Sequence, residues 1–371
     1  MFSVVMLIAG LALVQYVSTE SRRSYDSCDE MEALSLAEAG AMYSLEQLRQ
    51  NPDFAGMGAT QFGGGTFQAS VTVPGGDTTR RIVEATGIYN GATRSVRTYF
   101  ERAPFRFPGG AMVSNSDIRI TGSATTNTVP STDHCANVHA NGNVTITGSA
   151  SIDGWVTASG TVWITGSVHC LGRENGVPPV TFPDEAQVAA WESQWRSQAM
   201  TGTHYGSITI TGSQTQTLTA PCYIAGTLKA TGSATFNING GGIVFVEGNV
   251  KLTGSSKIRN SAVLVVKGTI DITGSHGYVA TGPQNSVAIV SLSTSSPAIR
   301  MTGSSSVELQ GFIYAARGDI TLTGSDAVYG AVIAWGDITK TGSSDIYYPS
   351  SLNQSLDVLP GSFTLAGWEE M

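Results

Sequence analysis

The tripeptide Thr-Gly-Ser occurs ten times, starting at Thr121, Thr147, Thr165, Thr211, Thr231, Thr253, Thr273, Thr302, Thr323 and Thr341. Successive copies lie 26, 18, 46, 20, 22, 20, 29, 21 and 18 residues apart. A repeat this short constrains the fold strongly, because one unit can bury its apolar face only against the next copy. In eight of the ten copies a glycine lies five residues before the threonine, as in Gly248-Asn-Val-Lys-Leu-Thr-Gly-Ser and Gly268-Thr-Ile-Asp-Ile-Thr-Gly-Ser. Between that glycine and the tripeptide sit two apolar residues two apart, the period of a strand with one buried face. The unit reads corner, short strand, Thr-Gly-Ser corner, further strands, next corner. This predicts a mainly β fold whose largest part is a single-stranded β-solenoid (β-helix) of about ten coils, stacked at ~4.8 Å into a rod of roughly 48 Å.

Val144, Ile146, Val162, Ile164, Ile208, Ile210, Val250, Leu252, Ile270, Ile272, Ile320 and Leu322 are the expected interior ladders. Gly122, Gly148, Gly166, Gly212, Gly232, Gly254, Gly274, Gly303, Gly324 and Gly342 would stack at one corner, where only glycine takes a positive φ without a Cβ clash. Corner Ser and Thr hydroxyls can bond backbone between coils. A β-propeller needs blades of about 40 residues, which suits these spacings poorly. The gap of 46 residues holds an insertion, 172–205. Its stretch Asp184–Met200 is helical in composition, with Asp184 after Pro183 as a cap. Trp191 and Trp195 fall on one face of that helix and read as a contact for another subunit or as a cover for the solenoid wall.

Upstream of the solenoid, assigned to 103–348, residues 53–102 alternate at period two in the runs Thr66–Val73, Arg81–Thr86 and Ser95–Arg102. Pro74-Gly75-Gly76 and Asn90-Gly91 separate them, so a small antiparallel sheet is expected. The tail 349–371 has no period and is expected to fold back along the rod.

Residues 1–52 read as one long helix. No charge occurs from Met1 to Thr19, a helical length of roughly 28 Å against a hydrocarbon core of ~30 Å. No basic region precedes the apolar run, and Arg22 and Arg23 follow it. A short basic leader is therefore expected to have been removed, leaving Met1 as the first mature residue. The pattern continues without Pro to Asn51-Pro52. A helix of this size, roughly 75 Å long, cannot bury its first half in its own domain. That half must enter a membrane or a bundle of identical helices, through Met1, Phe2, Val4, Val5, Leu7, Ile8, Leu11, Leu13 and Val14.

An apolar run opening the chain and continuing into a long amphipathic helix resembles a type IV pilin. The stretch ALSLAEAGAMYSLEQL, Ala33 to Leu48, is similar to a segment of minor-pilin-like proteins. The resemblance covers about residues 1–100. It implies a structural subunit of an extracellular filament, a helical homopolymer of this chain, held in the inner membrane before assembly and handled by a prepilin peptidase and a pilus assembly machinery. A minor or tip pilin acting as an adhesin is the alternative. Two positions depart from the family pattern: Val5 stands where major pilins usually carry Glu, and Arg22 where many carry a helix-breaking Pro.

Charge and chemistry narrow the function further. Charged residues make up 13%, about half the usual ~25%, and the net charge is −8. The basic residues are scattered, with Arg22-Arg23 and Arg80-Arg81 as the adjacent pairs, so no nucleic-acid face is expected. The four cysteines Cys28, Cys135, Cys170 and Cys222 form no CxxC pair, which argues against zinc. In an exported protein, a disulfide between Cys170 and Cys222 would pin the base of the insertion, with Cys135 as the rival partner. Some β-solenoids are polysaccharide-cleaving enzymes, which cluster acidic residues on one face. Here Asp319 and Asp337 each follow a corner glycine and Asp271 falls mid-strand, so they read as solvated carboxylates. The five histidines show no HExxH spacing and no GxSxG or phosphate loop occurs. The chain reads as a structural protein without cofactor, not an enzyme.

Overall fold

The structure is a computed structural model that describes residues 2–51, 53–77, 79–102, 109–275, 277–280, 288–304, 306–354 and 363–371; in the first helix, side chains are described from Leu13 onward. The chain divides into two compact units, Met1–Ala103 with Gly361–Met371, and Pro104–Pro360.

In the first unit, helix α1 (Phe2–Gln50) is continuous, with no break at 14–23. Ala33, Ala37, Ala41, Leu45 and Leu48 recur every three or four residues and are buried, which makes the stripe that packs on a sheet. Small side chains let the two approach closely: a Cβ at Gly87 would lie 2.0 Å from the Ala33 carbonyl oxygen. The sheet contains β1 (Gly56–Phe62), β2 (Gly65–Thr72), β3 (Arg80–Tyr89) and β4 (Ala92–Arg102), paired antiparallel in that order. Asn90-Gly91, both at positive φ, turns β3 into β4 as a tight hairpin.

Two strands escaped the sequence reading. β1 is rich in glycine and lacks alternation. The other corrects the expectation for the tail: Phe363–Glu370 does not fold back along the solenoid but pairs antiparallel with β4. Its Phe363 is buried beneath the guanidinium groups of Arg81 and Arg102, whose carbons lie 5.1 and 5.6 Å from the ring centroid.

The second unit is a parallel β-solenoid. Its coils present three faces, one of them a ladder of ten strands that carry the Thr-Gly-Ser repeat. The order along this ladder is Val162–Gly166, Val144–Gly148, Ile118–Gly122, Ile338–Gly342, Ile320–Gly324, Ile299–Gly303, Ile270–Gly274, Val250–Gly254, Leu228–Gly232 and Ile208–Ile210. The coils are therefore not stacked in sequence order. The chain enters inside the stack, runs outward through three coils to one end, crosses to the opposite end, and winds back. The last coil then docks on the first through Ile338↔Ile118, Val332↔Met112 and Asp345↔Thr125. The crossing segment is the insertion, and it is shorter than expected. Gly172–Asn175 still pairs with Trp155–Ala158, and Thr203–Tyr205 already pairs with Cys222–Ile224.

Helix α2 (Glu185–Met200) lies in this crossing. Asp184 caps it, accepting from the Gln187 N–H, while the Gln187 side chain accepts from the Asp184 N–H. Its Val188, Trp191, Trp195 and Ala199 are buried in the same core as the solenoid interior, against Cys222–Ile224 and Ile243–Val246. Of the expected interior ladder residues, Ile164 and Ile208 are only half-buried, and both lie in terminal coils.

Candidate functional site

The exposed part of α1 is the first candidate. Met1, Phe2, Val4, Val5, Leu7, Ile8 and Leu11 lie outside the described side chains. Leu13 and Val14 are each 67% exposed, and Tyr16, Val17 and Tyr25 follow on the same uncovered stretch. Among the described residues no helix is long and apolar enough to cross a membrane. The helix first meets its sheet near Glu30, whose carboxylate takes a 2.5 Å bond from Arg94 on β4. An apolar cleft of about 360 Å³, lined by Glu38, Ala41, Met42, Thr98, Leu365 and Trp368, opens in this unit.

The Thr-Gly-Ser corner is the second. All ten central glycines have positive φ, from +65° at Gly212 to +123° at Gly303. They stack on one another: a Cβ at Gly254 would sit 2.8 Å from the Gly232 carbonyl oxygen, and one at Gly324 only 2.1 Å from that of Gly303. The ladder registers are Gly on Gly, for instance Gly254↔Gly274, and the tripeptide threonines align beside them.

The opposite corner explains the acidic residues. The carboxylate of Asp319 accepts from the Asp337 N–H at 2.8 Å, Asp337 accepts from the Asp117 N–H at 3.1 Å, and Asp117 accepts from the Asn143 N–H at 2.8 Å. Each corner side chain thus caps the backbone of the next coil. Asp271 instead accepts from the Thr273 hydroxyl on the outer face. The corner glycines leave room for these caps, since a Cβ at Gly336 would fall 1.9 Å from Asp319 Oδ1. Among the described residues no group of three or more His, Cys, Asp or Glu side chains is arranged to hold a metal ion.

Burial decides between the two readings of the tryptophans, and the disulfide expectation is corrected. Trp191 and Trp195 are each 2% exposed, their rings 5.8 Å apart, so they cover the solenoid wall and the reading as a surface contact falls. Cys170 lies at one end of the stack and Cys222 next to the other end, nine ladder steps or about 43 Å away at ~4.8 Å per step. A disulfide requires Cα atoms within ~7 Å, so they do not pair. All four cysteines are free, Cys28 exposed and Cys222 buried, where desolvation pushes its thiol up to about 11.

What sequence reading missed is the charge row that fastens α2. Arg317 reaches Glu185 at 2.7 Å and Glu192 at 2.9 Å, Lys267 bridges Glu192 and Glu247, and Arg196 meets Glu247 at 2.7 Å. Burial alone would raise the Glu192 carboxyl, but the bonds from Arg317 and Lys267 hold it below the usual range. These residues sit in different coils, and no local pattern connects them.

Residues 178–355 match a sequence family described as a domain of unknown function (DUF7305). No curated protein matches the chain. Among solved structures, the competence-associated pilin ComZ from Thermus thermophilus is 11% identical with a TM-score of 0.24, over 92% of this chain and 98% of that one. An ice-binding protein from the Antarctic ascomycete Antarctomyces psychrotrophicus is 13% identical with a TM-score of 0.28, over 64% of this chain and 93% of the other. Neither likeness is close enough to carry a functional argument.

Proposed function

We propose that this chain is a structural subunit of a type IV pilus-like filament, assembled through α1 and carrying the β-solenoid as its displayed part. One observation carries the reading: α1 is a single helix of 49 residues whose second half buries one face on its own sheet, while Leu13, Val14, Tyr16 and Val17 are left open to solvent. Apolar side chains in such a row gain free energy only when other apolar surface covers them, about 25 cal/mol per Å². Parallel copies of the same helix supply that surface in a filament, and lipid supplies it beforehand. On this reading the partners are further copies of the chain, the inner membrane before assembly, and the processing peptidase and assembly machinery of such systems. The place of action is the cell surface. The uniform packing of the solenoid and its structural use of corner carboxylates favour a displayed body over an enzyme.

Leu13→Asp and Val14→Asp test the proposal. A carboxylate in the helix bundle costs several kcal/mol, so each variant should yield no filaments by electron microscopy while its solenoid keeps the parent's thermal unfolding. Normal filaments from both variants would refute it. In filaments of the parent chain, a solenoid on every subunit marks a major component, and solenoids at tips alone mark a minor pilin displayed as an adhesin.

A further inference from the structure

The inward position at the centre of each Thr-Gly-Ser strand forms one core column. Nine coils fill it with Ile, Leu, Met or Ala, and the tenth with Lys340. Lys340 has no exposed surface. It stands at the one step of this ladder where neighbouring coils are not consecutive in sequence: its Cα partners are Leu322 in the coil before it and Ile120 in the first coil. Lys340 Nζ donates to the Thr125 carbonyl at 2.8 Å, and the Thr125 hydroxyl bonds the Asp345 carboxylate, so both bonds cross that step. Other buried polar side chains gather in the same coils, namely Thr126, Thr128, Asp326 and Ser344. Arg119 and Asp337 pair across the step on its outer face at 3.4 Å. Among the described residues, the closure of the solenoid therefore rests on a part of the core rich in buried polar groups.

We propose that this step is a proton-sensitive joint: protonation of buried Lys340 raises the population of a state in which the last coil has parted from the first, while the ladders on either side stay paired. No covalent connection links the two coils locally, so the parting breaks strand pairing, core contact and these side-chain bonds. Burial pushes the Lys340 ammonium down to about 7, against the opposing attraction of Asp345. The closed joint then holds a neutral amine over a pH range in which a solvated lysine is charged, up to its ordinary value near 10.5. The open state binds the extra proton. Opening is therefore favoured as pH falls from about 10 towards 7, by about tenfold per unit, and levels off below that.

Amide hydrogen exchange of the full chain between pH 6 and 10, corrected for intrinsic rates, tests the joint. Within Ile118–Gly122 and Ile338–Gly342, the N–H groups that bond across the step, such as that of Ile338 to the Asp117 carbonyl, should lose protection about tenfold per unit as pH drops from 9.5 to 7.5. Protection at Val250–Gly254, deep in an uninterrupted ladder, should change less than about twofold across the same range. Lys340→Met places at the joint a side chain the column already holds at Met301, and should abolish the slope. A flat pH profile at the joint, an equal slope at Val250–Gly254, or a slope that survives in Lys340→Met would each overturn the proposal. The comparison of the two segments in the parent chain stands even if the variant folds poorly.

Discussion

Gly254 carries two constraints at once. Its φ of +84° disfavours any residue with a Cβ, and the carbonyl of Gly232 occupies the space a Cβ would need. Gly254→Val should therefore cost at least ~2 kcal/mol, from the left-handed conformation and from crowding two coils. Ser255→Val, on the exposed residue beside it, should change stability by less than ~0.5 kcal/mol. Thermal unfolding of the full chain separates the two, and equal small shifts would remove the stacked-corner account. Ser256 is no neutral control, since its side chain is fully buried at the position that Ala234 fills in the neighbouring coil. These corners are legible in the sequence because the tripeptide returns ten times in the same setting. Lys340 is legible too, in that period two puts it where its neighbours carry Leu and Ile. Its meaning is not, because the repeat cannot tell which coil will lie against it.

Helix α2 shows where composition succeeds and where it stops. Asp184, Pro183 and the spacing of Trp191 and Trp195 announce a capped helix with one aromatic face. Whether that face meets solvent, a partner or the solenoid depends on strands from Cys222 to Val246, which follow it in sequence and give no sign of the docking. With both rings buried, Trp195→Ala should cost about 3–5 kcal/mol, read as a lowered midpoint in denaturant unfolding of the full chain. A tryptophan serving a partner would leave that midpoint unchanged and alter only association. The ion pairs of Arg317 and Lys267 across α2 then fix its azimuth on the wall more than they stabilise it, since their partners are partly solvated. The C-terminal strand makes the same point: Phe363–Glu370 looks like an aperiodic tail until the edge of β4 supplies its partner.

The order of coils is the property of the whole molecule least visible in the chain. Every coil carries the same corner and the same apolar ladder, so local pattern lets any two coils stack. Consecutive stacking is the natural expectation, and the structure departs from it at one step. The long spacing between Thr165 and Thr211 is the trace this leaves in the sequence, a connection long enough to run from one end of the stack to the other. The same topology brings residues 220 apart into register, which makes closure costly in chain entropy and slow relative to local pairing. A pair of engineered cysteines tests it directly. Arg119 and Thr339 are Cα partners on the outward side of adjacent strands, about 4.8 Å apart. Arg119→Cys with Thr339→Cys should oxidise within one chain, without dimers, and stabilise the fold by about 5 kcal/mol through the long loop it closes. Trp163→Cys with Thr209→Cys occupies the positions that consecutive stacking would bring side by side. In the observed order these lie at opposite ends, nine steps and about 43 Å apart, and should stay reduced under the same conditions. Peptide mapping of the oxidised variants reads both results, and a bridge in the second pair but not the first would restore a sequential stack.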